Sequence, residues 1–259
     1  MIEKEIYELK KSRYILERRI RILESMICEM YDKMIPEKKV CPICNNEIRL
    51  YLPTGDTEHI RSNAVCPVCG TAERHRFFFK YLIENYNKYF DINRKNTVLH
   101  FAPESGIWEY FTNNEQIEYY PVDYNPSKKG IIRAVDMTDI PYENESFDVI
   151  IAFCVLDCIK DEEKALSELK RVLKPTGVLF IGVGDNPNLE HTINNQLYNP
   201  ELLTFTYTSF RLYGRDFPKR MENAGFDIKK INMSELCTDE EISDLYLDKR
   251  TNIYICNKT

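Results

Sequence analysis

Four of the nine cysteines stand in two close pairs that have the spacing of metal ligands. The first pair is Cys41-Pro-Ile-Cys44, and the second is Cys66-Pro-Val-Cys69, followed by Gly70. Two such pairs place four thiolates where they can close a tetrahedral Zn²⁺ site. A closed site has no open coordination position, so we predict a structural zinc and not a catalytic one. A redox-active pair of thiols is the alternative that this spacing leaves open.

Two aspartates end consecutive strand-like segments. Asp123 follows Ile117 to Val122, and it lies roughly 20 residues beyond the turn after the apolar Val98 to Phe101. Asp136 follows Gly130 to Val135. In a doubly wound sheet, ligands bind outside the carboxyl ends of the strands, where an acidic side chain can take ribose hydroxyls. We predict that the two carboxylates hold an adenosine; the alternative is that both only cap turns.

Two arginines follow the second cysteine pair directly. Arg74 and Arg76 belong to the phrase Thr71-Ala-Glu-Arg-His-Arg. Because a guanidinium matches the geometry of carboxylate and phosphate, both are candidates to bind an anionic part of a substrate. The alternative is a helix started by Thr71 whose cations face water while Phe77 to Phe79 pack inward.

The elements that must position these residues alternate between strand and helix from Thr97 to Gly184. The segment Phe147 to Phe153 is almost continuously apolar, which is typical of a strand buried between two layers of helices. The apolar residues after it recur at helical spacing up to Leu173, and Val178 to Val183 is again strand-like. This alternation predicts an α/β fold with a doubly wound, mostly parallel sheet.

The segment Ser146-Phe-Asp-Val-Ile-Ile-Ala-Phe-Cys-Val-Leu-Asp-Cys-Ile-Lys-Asp161, followed by Ala165-Leu-Ser-Glu-Leu-Lys-Arg-Val-Leu-Lys-Pro-Thr-Gly177, carries a resemblance. Over residues 97–257 the chain resembles the class I (Rossmann-like) methyltransferases that depend on S-adenosyl-L-methionine. The resemblance implies a seven-stranded sheet with an antiparallel last strand. Asp227 to Met233 and Asn252 to Cys256 are well placed for the final pair of strands.

The resemblance implies cofactor contacts at the ends of the first four strands. The residues at these positions are Phe101, Ala102, Glu104, Gly106, Asp123, Tyr124, Asp136, Met137, Phe153 and Cys154. The first turn departs from the family pattern, because Ala102 and Glu104 replace its first two glycines and His100 replaces its acidic residue. Glu104 is therefore a candidate for the ammonium group of the cofactor. The phrase His-Phe-Ala-Pro-Glu resembles a subgroup of these enzymes that carries an N-terminal Cys-Pro-x-Cys zinc ribbon.

On the acceptor side, an oxygen or nitrogen nucleophile must lose a proton to a base. The family often carries Glu-His after the fourth strand, where this chain has Asp157-Cys158, so Asp157 is our candidate base. It could instead cap the helix that begins near Asp161. Arg211, Tyr213 and Asp216 match a phrase of the resembling subgroup, Arg-x-Tyr-Gly-x-Asp. We predict that Arg211 binds substrate and that the other two are catalytic; the alternative is a structural network that fixes the last helix.

Residues 1–36 have the heptad pattern of a coiled-coil helix. One seam position is occupied by Ile6, Arg13, Ile20, Ile27 and Met34, and the other by Ile2, Leu9, Leu16, Leu23 and Met30. Isoleucine at the first position with leucine at the second favours a parallel two-stranded coiled coil, so we predict a homodimer through residues 2–34. Arg13 within the seam costs stability but could specify register. The alternative is an amphipathic helix packed on its own domain.

The sequence thus divides into a coiled-coil helix (1–36), a zinc ribbon (37–75), a connecting helix and linker (76–96) and a methyltransferase domain (97–259). No apolar run approaches the ~20 residues of a membrane span. The charged N-terminus lacks a secretory signal, so we expect a cytoplasmic location.

The net charge of −6 disfavours a nucleic-acid partner. We therefore predict O- or N-methylation of a small-molecule or sugar-containing acceptor. Two alternatives stay open: an RNA methyltransferase whose zinc ribbon grips the RNA, and a non-catalytic scaffold with a degenerate cofactor loop.

Overall fold

The computed structural model describes residues 2–34, 38–54, 60–124, 133–194, 209–247 and 251–259. Within these ranges, no helix combines the length and the apolar character that a membrane span requires.

Helix α1 (Ile2–Met34) is a single helix of 33 residues. No glycine or proline interrupts it, which agrees with its helical pattern. The seam side chains that the structure describes from residue 16 onward are exposed in the single chain: Leu16, Ile20, Leu23, Ile27, Met30 and Met34. Arg13 forms an i,i+4 ion pair with Glu17 at 2.8 Å. A single chain does not test the predicted pairing of two such helices, so the coiled coil stays a prediction.

The cysteine-containing segment after α1 consists of two small antiparallel hairpins. The first joins β1 (Lys39–Val40) to β2 (Glu47–Ile48). The second joins β3 (Leu52–Thr54) to β4 (Arg61–Val65). One cysteine pair follows β1, and the other follows β4.

Seven strands form the central sheet. They are β5 (Asn96–Phe101), β6 (Ile117–Asp123), β7 (Arg133–Ala134), β8 (Phe147–Phe153), β9 (Leu173–Gly182), β12 (Phe226–Asn232) and β13 (Asn252–Lys258). Their order across the sheet is β12-β13-β9-β8-β5-β6-β7. β13 runs antiparallel to both of its neighbours, β12 and β9, and the other neighbouring strands of this sheet pair in parallel. This confirms the predicted doubly wound, mostly parallel sheet with an antiparallel last strand. Residues 130–132 of the predicted third strand lie outside the described residues. The strands β10 (Ile193–Asn194) and β11 (Arg211–Leu212) form a separate two-stranded antiparallel sheet.

Helices cover both faces of this sheet. They are α2 (Glu73–Glu84), α3 (Tyr86–Tyr89), α4 (Ser105–Thr112), α5 (Glu162–Val172), α6 (Phe217–Asn223), α7 (Met233–Leu236) and α8 (Asp239–Asp244). One apolar cluster joins the ribbon, α2 and α4 to one face of the sheet, for example through Phe78 and Phe111. A second cluster joins α5 and α6 to the opposite face, through Leu169 and Phe217. The sheet is therefore buried on both sides, as the apolar strands predict.

The polar stretch predicted as a linker, residues 85–96, is partly packed against the core. It contains α3, and the Phe90 that follows this helix is only 2% exposed. The ring of Tyr89 meets that of Phe180 edge-on, with the centroids 4.9 Å apart. Aromatic side chains at the α3 turn thus bind this segment to the sheet although most of its other residues are polar.

Candidate functional site

The four paired cysteines converge on one point. The Sγ atoms of Cys41, Cys44, Cys66 and Cys69 all lie within 4.8 Å of one another. Two Sγ pairs, Cys41 with Cys69 and Cys44 with Cys66, are each separated by 3.9 Å. Four sulfurs at the usual Zn–S length of ~2.3 Å stand roughly 3.8 Å apart in a tetrahedron, so the donor set fits Zn²⁺ in type and spacing.

Backbone turns of left-handed conformation shape both cysteine loops. Asn45 has φ of 54° and Gly70 has φ of 70°, each directly after the second cysteine of its pair. The N–H of Asn45 donates to the carbonyl of Cys41, and the N–H of Gly70 donates to that of Cys66, each at 2.9 Å. Glycine and asparagine are the residues that adopt this conformation most readily. The local sequence therefore supports the same turn in both loops.

The two neighbouring arginines of α2 have different surroundings. Arg76 is completely buried, and its guanidinium stacks on the ring of Tyr51 at 3.7 Å. Its N–H groups donate to the backbone carbonyls of Asn63, Ala64, Thr71, Leu245 and Tyr246. These five bonds use all the donors that a guanidinium has. The prediction that Arg76 binds substrate is therefore wrong: it ties the ribbon to the chain after α8.

Arg74 is only partly buried, and its Nε is a buried atom without a hydrogen-bond partner in the described part of the chain. Its positive charge lowers the pKa of Cys154 and of Asp157, although burial raises both pKa values overall. Both residues follow β8. Arg74 therefore lies close enough to the residues after β8 for its charge to lower their pKa values. It retains the donor capacity that Arg76 lacks.

Asp157 lies in the 3-10 turn Leu156–Cys158, just beyond β8, and is 6% exposed. Ser209 donates its hydroxyl to Oδ2 of Asp157 at 3.1 Å. The other oxygen, Oδ1, is buried without a partner among the described residues. Burial raises the pKa of this carboxyl above its ordinary value, against the smaller effects of its own backbone N–H, Ser209 and the charges of Arg211 and Arg74.

The alternative that Asp157 caps the next helix is wrong. Asp161 is the N-cap of α5, and its Oδ1 accepts the N–H of Lys164 at 3.1 Å. Asp157 thus has no capping role. A buried carboxyl with a free oxygen and a raised pKa can accept a proton from a bound nucleophile near neutral pH.

The Arg-x-Tyr-Gly-x-Asp phrase forms a structural network. Arg211 is buried and donates to the carbonyls of Leu156, Ile159 and Lys160. It therefore positions the turn that carries Asp157, and the prediction that it binds substrate is wrong.

The other two residues of the phrase differ in how far internal bonds use their polar atoms. Tyr213 is completely buried and donates its hydroxyl to Glu162 at 2.7 Å, which gives it the structural role of the alternative. Oδ1 of Asp216 accepts the backbone N–H and the hydroxyl of Thr192. Oδ2 of Asp216 has Arg220 at 4.0 Å and takes no part in these bonds, so the catalytic role of Asp216 stays a prediction.

The turn after β5 has a backbone conformation that favours glycine, although Ala102 and Glu104 replace the two glycines of the family pattern. Ala102 has φ of 48°, in the left-handed region, and its N–H donates to Val122 at 2.8 Å. Cys154, at the end of the adjacent β8, has φ of 54°. Neighbouring strands therefore both turn sharply at the carboxyl edge of the sheet. A non-glycine residue in this conformation carries strain of about 1–2 kcal/mol.

Glu104 faces two buried histidines. Its Oε1 lies 2.8 Å from Nε2 of His75, and its Oε2 lies 3.5 Å from Nε2 of His100. Nδ1 of His75 accepts the N–H of Ala72, so the proton of a neutral His75 is on the Nε2 that faces Glu104. Burial alone would raise the pKa of Glu104, but the two imidazoles lower it well below the usual range. Burial lowers the pKa of His75.

Gly106 packs against the ribbon. A Cβ at this position would lie 2.7 Å from Cγ2 of Ile43 and 3.2 Å from Sγ of Cys69. Distances this short leave no room for a side chain, so the ribbon requires the glycine that the sequence pattern assigned to the cofactor. The sequence contained no signal for this contact, because Ile43 and Gly106 are remote along the chain.

The predicted adenosine carboxylates lie on neighbouring strands. Asp123 ends β6 and pairs in register with Ala134 of β7, two residues before Asp136. Oδ1 of Asp136 accepts the N–H and the hydroxyl of Thr138, each at 2.8 Å, so this carboxylate does cap a turn. Asp123 also interacts within the chain. The sheet thus brings the two residues to one edge; their role with adenosine stays a prediction.

The remaining predicted cofactor residues differ in exposure. Tyr124 is 79% exposed, whereas three others are buried, namely Phe101, Met137 and Phe153. Phe153 contacts the ring of His75, with the centroids 6.1 Å apart. The carboxyl ends of β5 and β8 therefore meet the ribbon-side helix through both polar and aromatic contacts.

Comparison with known sequences assigns the middle of the chain. Residues 107–181, from α4 to β9, match a family described as "Methyltransferase domain". No curated protein matches the chain.

Several solved structures are similar to the chain. One, from a complex of the Haloferax volcanii Trm112 methyltransferase activator with a methyltransferase, is 14% identical, with 71% of this chain and 96% of that chain covered and a TM-score of 0.47. The CurJ carbon methyltransferase is 15% identical over 71% and 54%, with a TM-score of 0.49. Haemonchus contortus phosphoethanolamine N-methyltransferase 2, in complex with S-adenosyl-L-methionine, is 14% identical over 70% and 52%, with a TM-score of 0.43.

Proposed function

Because this chain carries a class I S-adenosylmethionine-dependent methyltransferase domain, we propose that it methylates an oxygen or nitrogen atom of a small-molecule or sugar-containing acceptor. S-adenosylmethionine, the cofactor of this family, supplies a methyl group that its sulfonium has already activated. The protein's task is then to place the acceptor in line with that methyl and to take its proton. We assign the second task to Asp157.

The observation that carries this proposal is Oδ1 of Asp157, a buried oxygen for which the described part of the chain offers no hydrogen-bond partner. A buried acceptor atom without a partner is costly, by about 1–3 kcal/mol, and in native proteins such an atom is commonly explained by function. Asp161, and not Asp157, caps α5. Oδ2 of Asp157 accepts the hydroxyl of Ser209. The hydroxyl or amine of an acceptor would supply the missing donor. The raised pKa of Asp157 brings its proton affinity nearer to that required of a base at neutral pH.

Arg74 supports an acceptor with an anionic group. Two observations support this: Nε of Arg74 has no hydrogen-bond partner in the described ranges, and the charge of Arg74 lowers the pKa of Asp157. A guanidinium binds carboxylate or phosphate through paired N–H groups. We therefore assign to Arg74 the orientation of an acidic acceptor, such as a sugar acid or a phosphorylated metabolite.

Asp123 and Asp136 are the residues that we assign to the ribose and adenine of the cofactor. Their adjacency at the ends of β6 and β7 supports this assignment, since ligands of doubly wound sheets bind at that edge. Oδ1 of Asp136 is used by the Thr138 turn, which leaves Oδ2 for a ligand hydroxyl. Four cysteines would hold Zn²⁺ in a closed structural site.

Titration calorimetry of the zinc-loaded full chain with S-adenosylhomocysteine tests the proposal. We expect one site per chain, weakened at least tenfold by Asp123→Ala and unchanged by Asp227→Ala, which alters an aspartate at the far edge of the sheet. Absence of binding by the wild type would contradict methyl transfer and favour a scaffold. A steeply salt-dependent affinity for RNA would instead favour an RNA methyltransferase.

A further inference from the structure

The ribbon touches the turn between β5 and α4 at two separate points. At the first, Gly106 lies against Ile43 and Cys69, with no room for a side chain between them. At the second, His75 of α2 reaches Glu104 at 2.8 Å. Glu104 and Gly106 are two residues apart and flank the start of α4. The turn where a class I sheet receives the methionine end of its cofactor is thus held from the ribbon side.

Cys69 connects the metal site to both contacts. It is one of the four converging thiols, and it also lies against Gly106. Its Sγ lies 2.9 Å from the hydroxyl of Thr71. The next residue, Ala72, donates its N–H to His75, which in turn faces Glu104. A continuous chain of bonded and packed groups therefore joins a zinc ligand to the cofactor turn.

We propose that the zinc ribbon is a wall of the cofactor site, in which Ile43, Cys69 and His75 are positioning residues, so that zinc binding and cofactor binding are coupled. The inference rests on the proposed function, because it concerns the same cofactor. Small ribbons of this kind are folded by their metal. Loss of zinc would release the contacts on Glu104 and Gly106, and the turn would no longer be held in its binding conformation.

Thermodynamic linkage requires that, if zinc raises the affinity for the nucleoside, the nucleoside raises the affinity for zinc by the same factor. A zinc ion that only stabilises the ribbon would not produce this reciprocal effect. We expect S-adenosylhomocysteine to bind the zinc-loaded full chain at least tenfold more tightly than the chain treated with a chelator. The nucleoside should also raise the affinity for zinc by the same factor, measured by equilibrium competition with the chromogenic chelator 4-(2-pyridylazo)resorcinol. Circular dichroism checks that the sheet remains folded without zinc.

The outcomes distinguish this inference from the proposed function. Equal affinity with and without zinc, in chains that both retain the sheet, would overturn the coupling and leave the methyltransferase intact. An affinity for zinc unaffected by bound nucleoside would overturn it equally. Failure of the zinc-loaded protein to bind the nucleoside at all would instead defeat the proposed function.

A double-substitution cycle tests the contact itself. Gly106→Ala should weaken binding of S-adenosylhomocysteine at least tenfold while one zinc per chain is retained, because the new methyl overlaps Ile43. Ile43→Ala in the same chain removes the closest atom and should restore at least part of the affinity. Glu109→Ala, on the exposed side of α4, is the matched control and should have no effect. A double variant no better than Gly106→Ala alone would contradict action through the ribbon.

Discussion

Ser209 donates its hydroxyl to Oδ2 of Asp157, and Oδ1 of this buried carboxylate has no hydrogen-bond partner within the ranges that the structure describes. Ser209 precedes β11, whereas Asp157 follows β8. Arg211, two residues after Ser209, binds the carbonyls of the same turn. A segment that is remote in sequence therefore fixes both the turn and the orientation of the carboxylate. This relationship leads to the first prediction.

Asp157→Asn should reduce methyl transfer by about 10²–10⁴-fold, the usual contribution of a general base. The affinity for S-adenosylhomocysteine should stay within about twofold of the wild type, since the substitution removes a base and no charge contact with the nucleoside. In the wild type, activity should fall as the pH drops through the raised pKa of Asp157, because the base must be ionised. Steady-state rates across pH 4–9 provide the measurement. Asp161→Asn, which preserves the cap of α5, is the control.

Asp157→Asn should also change stability in a pH-dependent way. Burial raises the folded-state pKa of this carboxyl above its unfolded value. Its contribution is therefore fully present below the unfolded pKa and is lost as the pH rises through the folded pKa. A neutral amide avoids the burial of the charge, so the variant should melt at a higher temperature than the wild type at pH 8. At acidic pH the difference should shrink; a difference independent of pH would contradict the burial argument.

Arg76→Gln and Arg74→Gln should have opposite consequences although the two residues are neighbours. Arg76→Gln leaves several buried carbonyls without donors, which predicts a loss of at least about 3 kcal/mol in unfolding free energy. Arg74→Gln should cost less than about 1 kcal/mol. It should instead raise the KM for an acidic acceptor. Urea unfolding of both variants tests the first contrast; equal destabilisation would contradict the different surroundings of the two side chains.

Ala102→Gly should stabilise the chain by roughly 0.5–1 kcal/mol. Glycine removes the strain of the left-handed conformation at φ of 48°, and its greater freedom in the unfolded state offsets only part of that gain. Ala165→Gly is the matched control: this alanine is inside α5, so glycine there should destabilise by about 1 kcal/mol. Chemical unfolding followed by circular dichroism gives both values, and a destabilising Ala102→Gly would show that the side chain has a packing role.

The full chain should sediment as a dimer through α1. The exposed seam from Leu16 to Met34 needs a partner, and the heptad spacing matches a second copy. Leu23→Glu places a charge in the seam and should give monomers in analytical ultracentrifugation. Arg18→Glu introduces the same side chain at an exposed position of α1 outside the seam, and it should leave the dimer intact. A wild-type chain that sediments as a monomer at tens of micromolar would contradict the coiled coil.

Local patterns predicted the parts of this protein that depend on neighbouring residues. The two Cys-x2-Cys pairs predicted a four-thiol cluster, because the loop geometry of each pair is a local property of the chain. Alternating apolar segments predicted the sheet, and the helical spacing before Leu173 predicted α5. Asp123 and Asp136 were placed together for the same reason, since parallel strands end at one edge.

Assignments that failed were those that depend on remote partners. Arg74 and Arg76 have the same charge and almost the same position, yet Arg76 finds carbonyls 169 and 170 residues away. The sequence of α2 contains no pattern that predicts those partners. Tyr213 likewise matched a functional phrase, and its hydroxyl is bound to Glu162, 51 residues earlier.

By itself, the sequence determined the set of four cysteines, the order of strands and helices, and the acidic strand ends, because spacing and periodicity act between near neighbours. Only the tertiary structure decided that Gly106 packs against the ribbon, that Asp161 caps α5, and that Oδ1 of Asp157 finds no partner among the described residues. Burial and hydrogen-bond partners arise when distant segments pack together, and a side chain's role depends on which of its polar atoms that packing leaves unsatisfied.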